Sequence, residues 1–440
     1  MKINSIWEDY LSSNYEKLNK NTKCDILIIG GGIAGILTAY YLKDSNLNIT
    51  LVDRNKLLSG ITSKMTAKVT ILQDILTKIS DKNICKYIES QLDGLKLLKD
   101  NINDLNIECD FYKNDSYLYT TKNNNINKIK KLEHLFNKLN ISIKEEYIPI
   151  KELKSLYSIK SDLSYEINPI KYLNEIINNL DNVNIYENTN IIKVDKLINY
   201  YVCKTIDNNY IKTKKVIFAC NYPYFIKPMF FPLKVKLERS NIVYGKSKYI
   251  GKYNLINIDK DIYSIRFYKD KMIYLNNNKF ISHFKCNINN NYINNINYYW
   301  TNMDIITNDY LPIIGEIKNN MYIITGFNTW GILSSHVGAK YLSNKILNND
   351  EYLKYKDIFK VGKEISVQKV FNSLTNIYES VNGYIKGLKN LKNPTCPHMK
   401  CKLIYNKLEH TWDCPCHGSR FNENGKIISG PSKFNIKSVK

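Results

Sequence analysis

Ile28-Ile29-Gly30-Gly31-Gly32-Ile33-Ala34-Gly35 is the stretch on which the reading of this 440-residue chain turns. The apolar run Asp25 to Ile29 reads as a buried parallel strand, and Ile33 to Leu42 carries a helical pattern. Ile49 to Val52 reads as a second strand, so Lys23 to Asp53 is a βαβ unit with a glycine-rich turn. The turn has a specific chemistry. Gly30 allows the tight bend, Gly32 lets the backbone approach a pyrophosphate, and Gly35 lets helix and strand pack closely, while the helix N-terminus favours the phosphate charge. Asp53 ends the second strand, where a carboxylate can hold an adenosine ribose diol. A lone fingerprint is weak, but one preceded by a strand, followed by a helix and answered by an acid outweighs a glycine turn without a ligand.

Working outward, Ile71 to Leu105 and Asn127 to Leu139 have amphipathic patterns that predict helices of an inserted region. Strand-like pieces alternate with turns from Tyr186 to Phe218, with Val216 to Ala219 a buried strand. From Ser240 to Phe284, Tyr, Ile and Phe alternate with polar residues as in an antiparallel sheet, and Asp309 to Leu347 reads as strand, glycine turn and long helix. Lys360 to Lys392 reads as a connector with one helix.

Composition bounds the function. The net charge of +22 is carried mostly by Lys, spread along the chain among Asn, Ile and Tyr. No stretch combines an Arg cluster with a stacking platform or a reading helix, so a nucleic-acid partner is not expected. Met1 to Tyr10 is polar and acidic, unlike a signal peptide. The apolar run Ile26 to Leu42 is interrupted by four glycines and falls short of a bilayer span. Six of the ten cysteines (Cys24, Cys85, Cys109, Cys203, Cys220 and Cys286) are scattered, as buried thiols of a cytoplasmic protein would be. The other four crowd between Cys396 and Cys416.

A second glycine turn, Thr325-Gly326-Phe327-Asn328-Thr329-Trp330-Gly331, opens the helix Ile332 to Leu347 after Asp309-Tyr310-Leu311-Pro312-Ile313-Ile314-Gly315. A helix N-terminus among small residues suits a flavin pyrimidine ring, where negative charge grows on reduction. Over roughly residues 20 to 350 the chain resembles the FAD-dependent D-amino acid oxidase, glycine oxidase and sarcosine oxidase superfamily. In that resemblance Thr62 to Lys68 occupies the flavin-contacting loop, and Cys220-Asn221-Tyr222-Pro223 the second flavin-side turn. It implies FAD contacts at Gly30, Gly32, Ile33, Gly35, Asp53, Arg54, Thr62, Ser63, Thr66 and Ala67, and further ones at Asn221, Gly326, Asn328, Trp330 and Gly331. Covalent members attach flavin through a His or Cys, and neither Leu57 to Thr70 nor Trp300 to Gly315 contains one, so non-covalent FAD is expected. With a single dinucleotide fingerprint, NAD(P)H as direct reductant is disfavoured.

Near the other end, Cys396-Pro397-His398 is followed after fifteen residues by Cys414-Pro415-Cys416-His417. Two Cys and two His so paired can bind a [2Fe-2S] cluster, thiolates on one iron and imidazoles on the other, or zinc. The region resembles Rieske proteins, which makes Cys396, His398, Cys414 and His417 the ligands. By the same resemblance Cys401 and Cys416 form the disulfide across the cluster loops, and Gly418-Ser419 and Gly430-Pro431 continue the likeness. Phe421 stands where high-potential Rieske proteins have a Tyr, implying a lower potential here. Only twelve residues separate Gly383 from Cys396, too few for the strands that normally precede the first cluster loop.

The expected architecture is therefore α/β plus β: a Rossmann-like FAD-binding domain interleaved with an antiparallel-sheet substrate domain, then a small Rieske-type β domain with a truncated or connector-built base. The divisions are a body at 1–359, with dinucleotide-binding segments at 20–75, 185–225 and 305–350 and cap segments at 76–184 and 226–304. A connector at 360–385 and a cluster domain at 386–440 follow. As the resemblance implies, such a chain oxidises an amine or amino-acid-like substrate by hydride transfer to flavin. It then passes electrons singly through the cluster to a protein partner. Arg266 is a candidate for a substrate carboxylate, against the commoner structural role of a lone Arg. His283 and His336 read as structural or solvent-facing, and His410 falls outside the ligand spacing. Two rivals use the same parts: an electron-transfer or redox-sensing protein without a small substrate, and a reductase running electrons from cluster to flavin.

Overall fold

Ile26, Leu27, Ile28 and Ile29 run without polar alternation because both faces of their strand are covered. Strand Thr22–Ile29 pairs in parallel with Tyr210–Phe218 on one side and Ile49–Val52 on the other. The structure is a computed structural model that describes residues 1–223, 231, 234–259, 263–276, 292–362, 385 and 392–437. The first sheet has eight strands. Its main path is Ile313–Lys318, Met321–Thr325, Tyr210–Phe218, Thr22–Ile29, Ile49–Val52 and Val183–Tyr186, with Ile191–Lys196 and Tyr201–Thr205 paired alongside. Helix Ile33–Leu42 packs against helices Gly331–Ile346 and Pro169–Asn178. The last of these begins where Asn168 accepts from the backbone of Ile170 and Lys171, with Pro169 fixing the first turn.

The second sheet, nine strands, departs from expectation in two ways. It is mixed, since Tyr253–Asn257 runs parallel to Tyr112–Thr120. It also recruits Tyr112–Thr120 and Tyr157–Glu166, which flank the helix expected over Asn127 to Leu139 and to which the sequence assigns no element. The helices of the inserted region are real but bounded: Asp81–Asp104 starts ten residues after Ile71, because a separate 3-10 turn at Asp74–Thr77 occupies part of the stretch between strand Lys68–Thr70 and the helix. Long strands Val235–Lys246 and Asn295–Thr307 pair along their lengths and form the face nearest the C-terminal module. The expected strand end at Phe284, and His283, lie outside the described residues.

The C-terminal module is a four-stranded antiparallel meander of Ile404–Asn406, Thr411–Asp413, Arg420–Asn422 and Ile427–Ser429. Most of the expected connector, with its helix, lies outside the described residues. No helix among the described residues is long and apolar enough to cross a membrane.

Candidate functional site

The fingerprint turn is built for close approach. Gly30 has φ +119°, and a side chain there would meet the Ala219 backbone at 2.8 Å. A Cβ at Gly35 would overlap the Gly30 carbonyl, so helix and strand touch only because that position is bare. Gly32 caps helix Ile33–Leu42, and the Ile33 N–H donates to Thr62 Oγ1 at 3.0 Å. Asp53 accepts from the Gly31 N–H at 2.7 Å and the Asn55 N–H at 2.8 Å. Its carboxylate is thus fixed beside the turn with a lone pair on each oxygen still free for a diol.

These residues open onto a cavity of about 2320 Å³. Gly30, Gly32, Ile33, Asp53, Arg54 and Thr62 line one end, and Thr66, Ala67, Asn221, Asn328, Trp330 and Gly331 continue it. The bare glycines, the helix N-terminus and the elongated space fit a dinucleotide such as FAD. Gly35, Ser63 and Gly326 stand behind the wall: Ser63 bonds to the Gly60 carbonyl, and Gly326, with φ +74°, packs against Thr307 and Ile313.

The far wall holds groups that sequence reading missed. Lys68 is buried with no hydrogen-bond partner for its amine, and burial with the nearby Arg266 charge holds its pKa well below that of an ordinary lysine. Asp74 accepts from Trp330 Nε1 at 3.0 Å and Lys78 Nζ at 2.8 Å. Asp304 is pushed up to about 7 by burial and by Glu238. A carboxyl titrating near neutrality in a cleft is the kind of group that can exchange a proton with a ligand. Arg266 is placed elsewhere. Its guanidinium donates to the backbone carbonyls of Thr66, Ala67 and Ile167 and lies 5.4 Å from the Trp7 ring, fully buried. It secures the loop Thr62 to Lys68, and this placement does not fit the expected role at a substrate carboxylate.

In the C-terminal module the four expected ligands converge. Cys396 and Cys414 are buried together in the module's core, and the His398 and His417 rings lie 5.2 Å apart. Nδ1 of both histidines is buried without a hydrogen-bond partner. Burial lowers both imidazole pKa values, His398 to about 4, so each ring is neutral and has a lone pair to give a metal. Two thiols and two orphaned ring nitrogens fit the donor set of a Rieske cluster. The sulfurs of Cys401, Cys414 and Cys416 also lie within 4.8 Å of one another. They are no metal site, because Cys401 and Cys416 are joined in a disulfide, Cα atoms 6.7 Å apart. Phe421 is fully buried in the module's core.

The two sites share one space: Cys416, His417 and Gly418 line the same cavity as the fingerprint turn. Arg54, expected at the dinucleotide, also donates to the Gly430 and Ser432 carbonyls at 2.8 and 3.1 Å. Asn55 donates to Ile428, and Asn190 to Lys433. On the flavin-side turn, Asn221 donates to the Met303 carbonyl at 3.1 Å and accepts at its own carbonyl from Thr325 at 2.6 Å. Of the remaining histidines, His336 is structural. It is fully buried between the Tyr172 hydroxyl (2.7 Å) and the Ile332 carbonyl (2.8 Å). His410 pairs with Tyr405 away from the ligand set.

Comparison with known proteins finds two family models. The family model described as FAD dependent oxidoreductase matches residues 25–345, and that described as Rieske [2Fe-2S] domain matches residues 360–440. The chain is 27% identical to YhfW of Bacillus subtilis (strain 168), whose name assigns it as a Rieske 2Fe-2S iron-sulfur protein, over 97% of this chain and 95% of that one. Glycine oxidase from Geobacillus kaustophilus shares the body fold with a TM-score of 0.67 at 11% identity, covering 78% of this chain and 100% of its own. L-proline dehydrogenase from P. horikoshii does so with a TM-score of 0.64 at 16% identity, covering 78% and 98%.

Proposed function

The chain belongs to the FAD dependent oxidoreductase family and carries a C-terminal Rieske [2Fe-2S] domain, and on that premise we propose that it oxidises an amine or amino-acid-like substrate and moves the electrons singly through the cluster to a protein partner. The observation that carries the proposal is the shared cavity, in which His417 and Gly418 line the same space as the fingerprint turn. FAD supplies a two-electron acceptor for the substrate's hydride and can release electrons one at a time. The chain supplies position and electrostatics. Gly30, Gly32 and Ile33 would hold the pyrophosphate and Asp53 the ribose, and Thr66, Ala67, Asn328 and Gly331, which line the same cavity, would face the ring. Asp304, near neutral pKa, and Lys68, whose pKa burial and the Arg266 charge hold well below the ordinary lysine range, are the groups in the cavity suited to exchanging a proton with a bound amine. Amino-acid oxidation by glycine oxidase and L-proline dehydrogenase supports the substrate class only by likeness of fold. We further assign 1–359 to the body, 360–385 to a connector and 386–440 to the cluster domain, and place the protein in the cytoplasm.

The test is anaerobic mixing of the purified holoprotein with a panel of amines and amino acids. At least one should bleach the flavin, with the cluster reduced after it. If none does so while a reduced ferredoxin or flavodoxin reduces both cofactors, the protein is an electron carrier or an inward-running reductase.

A further inference from the structure

Among its described residues the cluster module has a small apolar core. Its buried apolar set is Cys396, Cys401, Leu403, Cys414, Phe421 and Ile427, and each of its strands is three residues long. Small units of this kind need staples beyond their core. One is the disulfide. Another comes from the body.

Arg239, on strand Val235–Lys246, reaches into the module with both terminal guanidinium nitrogens. Nη1 donates to Asp413 at 2.9 Å and Nη2 to Glu409 at 2.6 Å. Arg420 meets the same two acids, Nε to Asp413 at 3.1 Å and Nη2 to Glu409 at 2.7 Å. All four side chains are less than a tenth exposed. Thr301, on the neighbouring body strand, adds its hydroxyl to Glu409 at 2.8 Å. The position of this lattice matters as much as its burial. Asp413 and Arg420 are cross-strand partners at the root of the loop that carries Cys414, His417 and Ser419. At the tip of that loop Gly418 packs on Leu237 and Met303 of the same two body strands.

We propose that Arg239 is a positioning residue through which the body sheet serves as the base of the cluster module, rooting the second cluster loop and holding positive charge beside it. Without Arg239 two buried carboxylates share one guanidinium, which loosens the loop's root. The missing charge also disfavours the reduced cluster, which carries one more electron than the oxidised one. Both effects are independent of substrate and of the direction of electron flow, so they can fail without the proposed reaction failing.

The test compares Arg239→Met and Arg239→Lys in the full-length protein, purified anaerobically, for FAD content, cluster lifetime and cluster potential. The Met variant should keep FAD and lose its cluster about 10-fold faster. Its ratio of reduced to oxidised cluster at a fixed applied potential should fall roughly threefold, about 28 mV for a one-electron couple. Lys keeps the charge but cannot fork between two carboxylates, so it should recover most of the potential and little of the lifetime. A Met variant with wild-type lifetime and potential overturns the proposal. So does a shortened lifetime with an unmoved potential in both variants, which is what loosened packing alone would give. Should the Met variant fail to accumulate as a folded flavoprotein, Thr301→Val removes one bond to Glu409 without unpairing a charge. It should shorten the cluster lifetime, and an unchanged lifetime there overturns the proposal as well.

Discussion

Cys401 and Cys416 each ride on a cluster loop without being a ligand, and their Cα separation of 6.7 Å is within reach of a disulfide. The bridge ties the loop after Cys396 to the loop after Cys414, so its loss frees both pairs of ligands at once. Changing both residues to Ser should leave iron and the Rieske spectrum in freshly purified protein and shorten the cluster's lifetime, measured as decay of its visible absorbance. An undiminished lifetime would show that the bridge holds nothing. A reducing cytoplasm argues against disulfides in general, but a buried bridge can have a potential low enough to resist the thiol pool. At this scale the sequence is legible where ligands come in short local runs, as in Cys396 to His398 and Cys414 to His417. It is illegible where a charge is buried. Nothing adjacent to Lys68 or Arg266 marks one as an unpartnered amine in a cavity wall and the other as a clamp on backbone carbonyls.

Among elements, the strand, turn and helix around Gly30 are legible because all their determinants lie within the run Lys23 to Asp53. The prediction at this scale is correspondingly local. A branched side chain at Gly35 would overlap the Gly30 carbonyl and push the helix N-terminus off the turn. Such overpacking costs about 1–3 kcal/mol. Gly35→Val should therefore be purified with little or no FAD and a lowered Tm, read from the flavin-to-protein absorbance ratio and a thermal melt. Full flavin content would contradict the account of the turn. Strands Tyr112–Thr120 and Tyr157–Glu166 were not legible. Their Asn, Ser, Lys and Tyr belong to the bias of the whole chain, and the partners that make them strands are each other and Tyr253–Asn257, far along the sequence. Residues 170 apart, such as Arg239 and Glu409, likewise give no local signal of their pairing.

For the whole molecule, the proposed function requires the body and the cluster module to work as one electron-transfer unit. His417 and Gly418 line the cavity that receives FAD, and Arg54, Asn55, Asn190 and Arg239 tie the module to the body on two sides of that cavity. On the proposed function, electrons would pass between the cofactors without an encounter between molecules. The most direct test delivers a single electron to the anaerobic holoprotein by a light pulse from an external photosensitiser and follows the flavin and cluster absorbances. The account predicts that the electron redistributes between the two cofactors with a rate constant unchanged on dilution of the protein. A redistribution whose rate falls in proportion to protein concentration, or none at all, would contradict it.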